Sequence, residues 1–233
     1  GNIPSRGQVL AWAESSAVVY ANSILGARTT RHGLESANAA SLLGLVPEFG
    51  VLLDENRKGT LRVEVTAPLQ TASDWGALGY FAGRVAGLGI PVFHGVRRPS
   101  QAEAKQLCAA LATSGGVTMC HIAGVTPEAP TLAAAFRGRV PKAGVRFDAK
   151  ALRETYATLR ARSGDEIDSV ILGCPHASLH EVAQIADLVR GKRVAAGVRF
   201  WVCLARATKQ AAIDLRLAAP IEAAGGVLLA LGG

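Results

Sequence analysis

The sequence predicts an α/β fold with largely parallel sheets and helices on both faces. Three observations predict it. Strand-like and helix-like patterns alternate along the 233 residues, as they do in βαβ units. Several strand runs, at 90–95 (IPVFHG), 169–174 (SVILGC) and 200–205 (FWVCLA), are apolar nearly throughout, as in strands covered on both faces. Polar or turn residues follow the strands: His94-Gly95, His121, Gly124 to Pro127, Cys174 to His176, and Arg206 to Lys209. Ligands of such sheets sit beyond the carboxyl ends of the strands, so a site is sought in that punctuation.

The first element is a helix within residues 11–33, AWAESSAVVYANSILGARTTRHG. Ser15 or Ser16 offers a capping hydroxyl, Ala17, Val18, Ala21 and Leu25 an apolar face, and Gly26 a stop. Residues 34–60 have no clear period, only turn signals, and a sub-boundary is expected near 60. Leu61 to Ala67 (LRVEVTA) alternates as a strand, and residues 74–88 read as a helix. The several glycines of that helix lower its propensity, which close packing against a neighbour would offset. A helix from about Ser100 to Thr113 leads to a strand at 117–124. Thr126-Pro127-Glu128 reads as a cap, a proline and a first-turn acid, opening a short helix through Phe136. Asp148 caps a helix to about Ala161. Ser178 with Glu181 forms a capping box ahead of a stripe of Leu179, Val182, Ile185, Ala186 and Val189. Thr208 caps a further helix, and GVLLAL is the last strand.

A chain of 233 residues, 49% of them hydrophobic, buries a sizeable core and is not disordered. No apolar run is long enough to span a membrane, and GNIPSRGQ lacks a signal pattern, so a cytoplasmic location is expected. The net charge is +7, and bases gather at Arg137, Arg139, Lys142, Arg146, Lys150, Arg153, Arg160 and Arg162. Aromatics are 5% of the chain and none interleaves with those bases, so no nucleic-acid partner is expected. A solvated face, a subunit contact or a field favouring anionic substrates explains them better.

Chemistry-bearing residues concentrate in a few places. Asn22, Ser23, Arg28 and Thr29 set small donors around a guanidinium, which reads either as a solvated helix or as a set suited to a small carboxylate. Among the four cysteines, Cys108, Cys120 and Cys203 fall in helical or apolar runs and read as small buried residues. Cys174 differs, because it follows a strand and precedes a capped helix. It reads as a sheltered turn cysteine, as a nucleophile with His176 as base, or as an iron ligand. His121 is either a buried histidine satisfying a carbonyl or a pocket residue. Thr126 doubles as a cap and a carboxylate seat. His94 and His32 read as structural or surface residues.

The stretch AESSAVVYANSILGART resembles the signature of the aconitase X family, hydro-lyases distantly related to aconitase. HIAGVTPEAPT at 121–131, GCPHASLHE at 173–181 and FWVCLARATK at 200–209 are similar to the same family in the same order. The resemblance implies an aconitase-like fold and dehydration of a small hydroxy acid. That acid would be cis-3-hydroxy-L-proline, towards which the Arg-rich, bacterial-looking composition leans, or mevalonate 5-phosphate. It implies an iron–sulfur cluster, of the 2Fe-2S kind, or a mononuclear iron, with Cys174 as one ligand and others outside these residues. Ser15, Ser16 and His121 are its candidate catalytic residues, and Asn22, Ser23, Arg28, Thr29 and Thr126 its substrate-binding ones. A small swivelling domain or subunit is the expected partner, these residues being read as most of the large part. The alternative from another class is a non-catalytic module that only holds a carboxylate.

Overall fold

A computed structural model describes residues 3–160 and 166–230. Expectations that fall on residues 1–2, 161–165 (Arg162 among them) and 231–233 lie outside those residues. Two compact units divide the chain, residues 1–161 and 162–233.

In the first unit, α1 (Ser15–Tyr20) passes into a wider π-helical turn, Ala21–Leu25, that ends at Gly26. Its cap is neither serine. The Glu14 carboxylate accepts from the amides of Ser16 and Ala17 and from the Ser16 hydroxyl. An acid at this position meets both the free amides and the helix dipole, which outweighs the better intrinsic capping of serine. Residues 34–60 hold α2 (Leu34–Leu43) and two 3-10 turns, Gly50–Leu52 and Asp54–Arg57.

The sheet of this unit is β1 (Leu61–Val65), β2 (Pro91–His94), β3 (His121–Ile122) and β4 (Val145–Phe147), in the order β3-β2-β1-β4 and all parallel. Between them run α3 (Ala72–Ala86), α4 (Gln101–Ser114) and α5 (Leu132–Ala135), with α6 (Ala149–Leu159) after β4. Thr71 and Ser100 head α3 and α4 with capping boxes, and Asp148 caps α6. The glycine-rich face of α3 is where α4 packs: a Cβ on Gly79 would lie 2.5 Å from the Leu107 carbonyl oxygen. Val63, Val65, Phe93, Ile122 and Phe147 point to one sheet face and bury with Trp75, Leu78, Leu107 and Leu111 of α3 and α4. The chain returns from β3 to β4 over the other face, where Val92 packs on Ala135 and Phe136.

Three expectations are corrected here. Of 117–124 only His121 and Ile122 pair as strand, against Val92 and Phe93; ahead of them the Thr118 carbonyl and the Cys120 amide bond the Asn22 and Ser23 side chains instead. Thr126-Pro127-Glu128 is a turn; Thr126 bonds back to the Ile122 backbone, and the helix starts at Leu132 under a Thr131 cap. In the second unit, Thr208 lies inside a helix that begins at Arg206.

The second unit is a parallel sheet β5-β6-β7 of β5 (Ser169–Leu172), β6 (Arg199–Leu204) and β7 (Gly226–Ala230). Its helices are α7 (Leu179–Val189), α8 (Arg206–Asp214) and α9 (Ala218–Ala223). The predicted box at Ser178 and Glu181 is present, and Val182 and Ala186 bury with Phe200, Val202, Leu204 and Leu228. Among the described residues no helix is long and apolar enough to cross a membrane.

Candidate functional site

Arg57 draws three separate segments of the first unit together. It is 2% exposed, and its guanidinium donates to the carbonyls of Val51, Asn22 and Ala27 at 2.7, 3.1 and 3.2 Å. It also takes the Glu128 carboxylate in a forked pair, with Nε 2.9 Å from both oxygens and Nη2 2.6 Å from one. Its own carbonyl lies 2.7 Å from His121 Nε2. The helix–turn 14–30, the 3-10 turns 50–57 and the loop after β3 therefore meet on one buried cation.

That last bond fixes the chemistry of His121. A carbonyl only accepts, so Nε2 carries the proton and Nδ1 is a bare lone pair. Nδ1 is buried without a partner. Burial holds the imidazole pKa below its ordinary value, against the opposing pull of the Arg57 carbonyl and Glu128. His121 is a neutral base with an unused lone pair.

The other residues expected at a site are placed as follows. Ser15 is half-buried at the start of α1, and its hydroxyl has no partner among the described residues. Ser16 is buried and donates to Glu14 at 2.5 Å. Asn22 is spent on the backbone: its amide donates to Thr29 and Thr118 carbonyls and its oxygen accepts from the Thr29 amide. Ser23 accepts from the Cys120 amide, and Thr29 bonds the Thr30 carbonyl. Arg28 gives one arm to the Leu52 carbonyl at 2.7 Å and another to the Asp54 carboxylate. That pairing holds the Asp54 carboxyl below the usual range. The set expected to cradle a carboxylate thus mainly fastens its own loop.

Arg57 and Glu128 escaped sequence reasoning. They lie 71 positions apart, one in an aperiodic polar run and the other in what reads as a helix start. Nothing local distinguishes a buried arginine from a solvated one.

In the second unit Cys174 is exposed, while Cys108, Cys120 and Cys203 are buried. It lies between β5 and α7, preceded by Gly173 at φ +100°, where a Cβ would collide with the Cys203 carbonyl. Only glycine permits that approach, which sets the thiol at the carboxyl end of the sheet. Among the described residues no three His, Cys, Asp or Glu side chains gather as a metal ion would need. Cys174 fits an iron group as a single ligand, not as a complete site.

Each unit is a parallel α/β sheet, the class in which small ligands sit beyond the strands' carboxyl ends, and Cys174 lies at such an end in the second unit. The chain belongs to the aconitase X family. The family's first, second and third domains match residues 1–55, 59–157 and 167–230 in order. The phosphomevalonate dehydratase large subunit of Methanothermobacter thermautotrophicus is 44% identical over 98% of this chain and 55% of its own length. The cis-3-hydroxy-L-proline dehydratase of Pseudomonas aeruginosa is 41% identical over 80% of this chain and 33% of its own length. The crystal structure of Thermococcus kodakaraensis aconitase X in its holo-form matches with a TM-score of 0.86 at 36% identity, covering 100% of this chain and 58% of that one. The chain spans about half the length of the large-subunit relatives it matches.

Proposed function

We propose that this chain is the large part of a hydro-lyase of the aconitase X type, removing water from a small hydroxy acid. The observation that carries the reading is the likeness to aconitase X over the whole chain, with the three family domains in order. Relatives named for two substrates are similarly close, 44% and 42% identical, so identity does not choose between cis-3-hydroxy-L-proline and mevalonate 5-phosphate.

Dehydration needs a base beside the substrate's acidic carbon and an acid or metal to carry off hydroxide. His121 supplies a neutral imidazole with a bare Nδ1, and Ser15 an unengaged hydroxyl; these are the proposed proton carriers. Ser16, Asn22, Ser23, Arg28, Thr29 and Thr126 are proposed to shape the pocket wall, since their polar groups already hold backbone or Glu14 and Asp54. Cys174 is proposed as one thiolate ligand of an iron or iron–sulfur group, which when bound would act as a Lewis acid. That several relatives are large subunits supports a small-subunit partner. A cytoplasmic location and the absence of a nucleic-acid partner remain part of this reading.

The test is anaerobic. The chain is extended with the further length its relatives carry, joined by a small-subunit partner and loaded with iron, then assayed on both acids. Turnover of one is expected, with Cys174→Ser losing iron. No turnover of either by iron-loaded protein overturns the reading.

A further inference from the structure

The strands of the second sheet stand in chain order, β5-β6-β7, so each crossover steps the same way. Right-handed crossovers that all step one way lay every helix on one face. The core shows that outcome: Val182, Ala186, Ala212 and Ile221, from all three helices, bury with Phe200, Val202, Leu204 and Leu228. The alternate residues Ile171, Trp201 and Val227 are register partners across the sheet and stand on the opposite face.

The middle of that face is apolar and open to solvent. Ile171 is 57% exposed and Val227 47%. Trp201 is half-buried between them, with the Arg199 guanidinium 5.6 Å from its ring centre. Nearer the carboxyl end, Cys203 and Leu229 are more sheltered. Parallel strands of this composition are normally covered on both sides, so one open face marks a surface that lacks its cover. The β5 edge is bare as well. Its residues, Ser169–Leu172 (SVIL), include no charge or proline to guard it, and Leu172 is 37% exposed.

One further strand–helix unit meets both needs. A right-handed crossover to a strand on the outer side of β5 steps against the other crossovers, which lays its helix on the Ile171–Trp201–Val227 face. The large-subunit relatives carry nearly as much polypeptide again beyond the length matched by this chain. We propose that a strand and an amphipathic helix of that further polypeptide dock on this surface, the strand pairing with β5 and the helix covering Trp201. The strand order then reverses at β5, so Cys174, just past its end, lies where such sheets open a crevice. The inference rests on the large-subunit part of the proposed function and not on the reaction.

The test compares the 233-residue chain with the extended protein, both free of substrate. Amide exchange across Ser169–Leu172 is expected to slow about tenfold or more in the extended protein. The pair Ile171→Thr and Val227→Thr keeps the β-branched shape, so it should leave melting of the 233-residue chain nearly unchanged. In the extended protein the same pair should lower the melting temperature by about 3 °C or more, because two hydroxyls are then buried. Equal exchange across β5 in the two proteins overturns the proposal, as does an extended protein whose melting the threonine pair leaves alone. Protection that needs an added small subunit also overturns it, because the face then belongs to another chain. So does an extended protein that is a dimer and turns monomeric with the threonine pair. Protection at β5 without turnover by the assembled, iron-loaded enzyme leaves this inference standing and removes the hydro-lyase reading. Turnover with β5 unprotected does the reverse.

Discussion

Replacing Arg57 with methionine keeps most of the buried volume and removes the charge and every donor. The Val51, Asn22 and Ala27 carbonyls would lose a partner, and Glu128 its guanidinium. A buried acceptor left unpaired costs about 1–3 kcal/mol, though losses in one network do not add. Glu128 is 25% exposed on its side chain and recovers some hydration. The net cost is therefore about 3–5 kcal/mol, the range for removing one partner of a buried pair. The loss is read from urea unfolding followed at Trp75, which is buried in the first unit. Adding Glu128→Gln should recover part of it, since the uncompensated carboxylate goes. Arg57→Lys should stay well below wild type, as one ammonium cannot reach three carbonyls and a carboxylate at once. A loss under about 1 kcal/mol for Arg57→Met would mean that the three segments are held by something else.

The remaining expectations are more local. Arg97 and the Ser100 amide hold the Glu103 carboxyl at about 2. A depressed folded pKa gives stability that is present above the unfolded value near 4.5 and lost as pH falls towards 2. Glu103→Gln should cost about 1–2 kcal/mol at neutral pH, a difference that shrinks through that window; a pH-independent difference refutes it. Gly79→Ala should cost about 1–3 kcal/mol, because its Cβ would meet the Leu107 oxygen at 2.5 Å. Gly76→Ala, whose nearest contact is at 3.9 Å, should raise stability by about 0.5–1 kcal/mol. Thermal melts of both variants decide the pair. A thiol reagent should modify Cys174 rapidly in the folded chain, while Cys108, Cys120 and Cys203 wait for unfolding; equal rates would place the Cys174 loop wrongly.

What the sequence made legible was what depends on near neighbours. Capping boxes at Ser178, the Asp148 cap and the end of the first helix at Gly26 are local hydrogen-bond arithmetic, and each is present. Where two local solutions compete, sequence reasoning chose the wrong one: Glu14 displaces Ser15 and Ser16 because a carboxylate can hold two amides and a hydroxyl at once. Thr126 looked like a helix cap because Pro127 and Glu128 follow it, yet Glu128 is drawn out of any first turn by Arg57. The candidate site fared similarly. Asn22 and Arg28 stand out in their stretch as donors for a carboxylate, but their partners include the Thr29 and Leu52 backbones, and no local pattern carries that information.

One local pattern did carry more than it first yields. A strand buried on both faces of a parallel sheet should be apolar throughout, and β2 (PVFH) nearly is. Its neighbour β1 reads Leu-Arg-Val-Glu-Val, a strict alternation proper to a sheet with one wet face, although β1 is a central strand with partners on both sides. Arg62 and Glu64 therefore cannot be explained by an edge. β4 sets Arg146 opposite Glu64, and β2 turns polar only at its last residue, His94. The two central strands thus turn polar side by side at Glu64 and His94, whereas Arg146 stands on the edge strand β4, where a polar residue is expected. Cross-strand neighbours of opposite charge stabilise a sheet face that meets solvent, which accounts for an acid on β1 set between bases on β2 and β4.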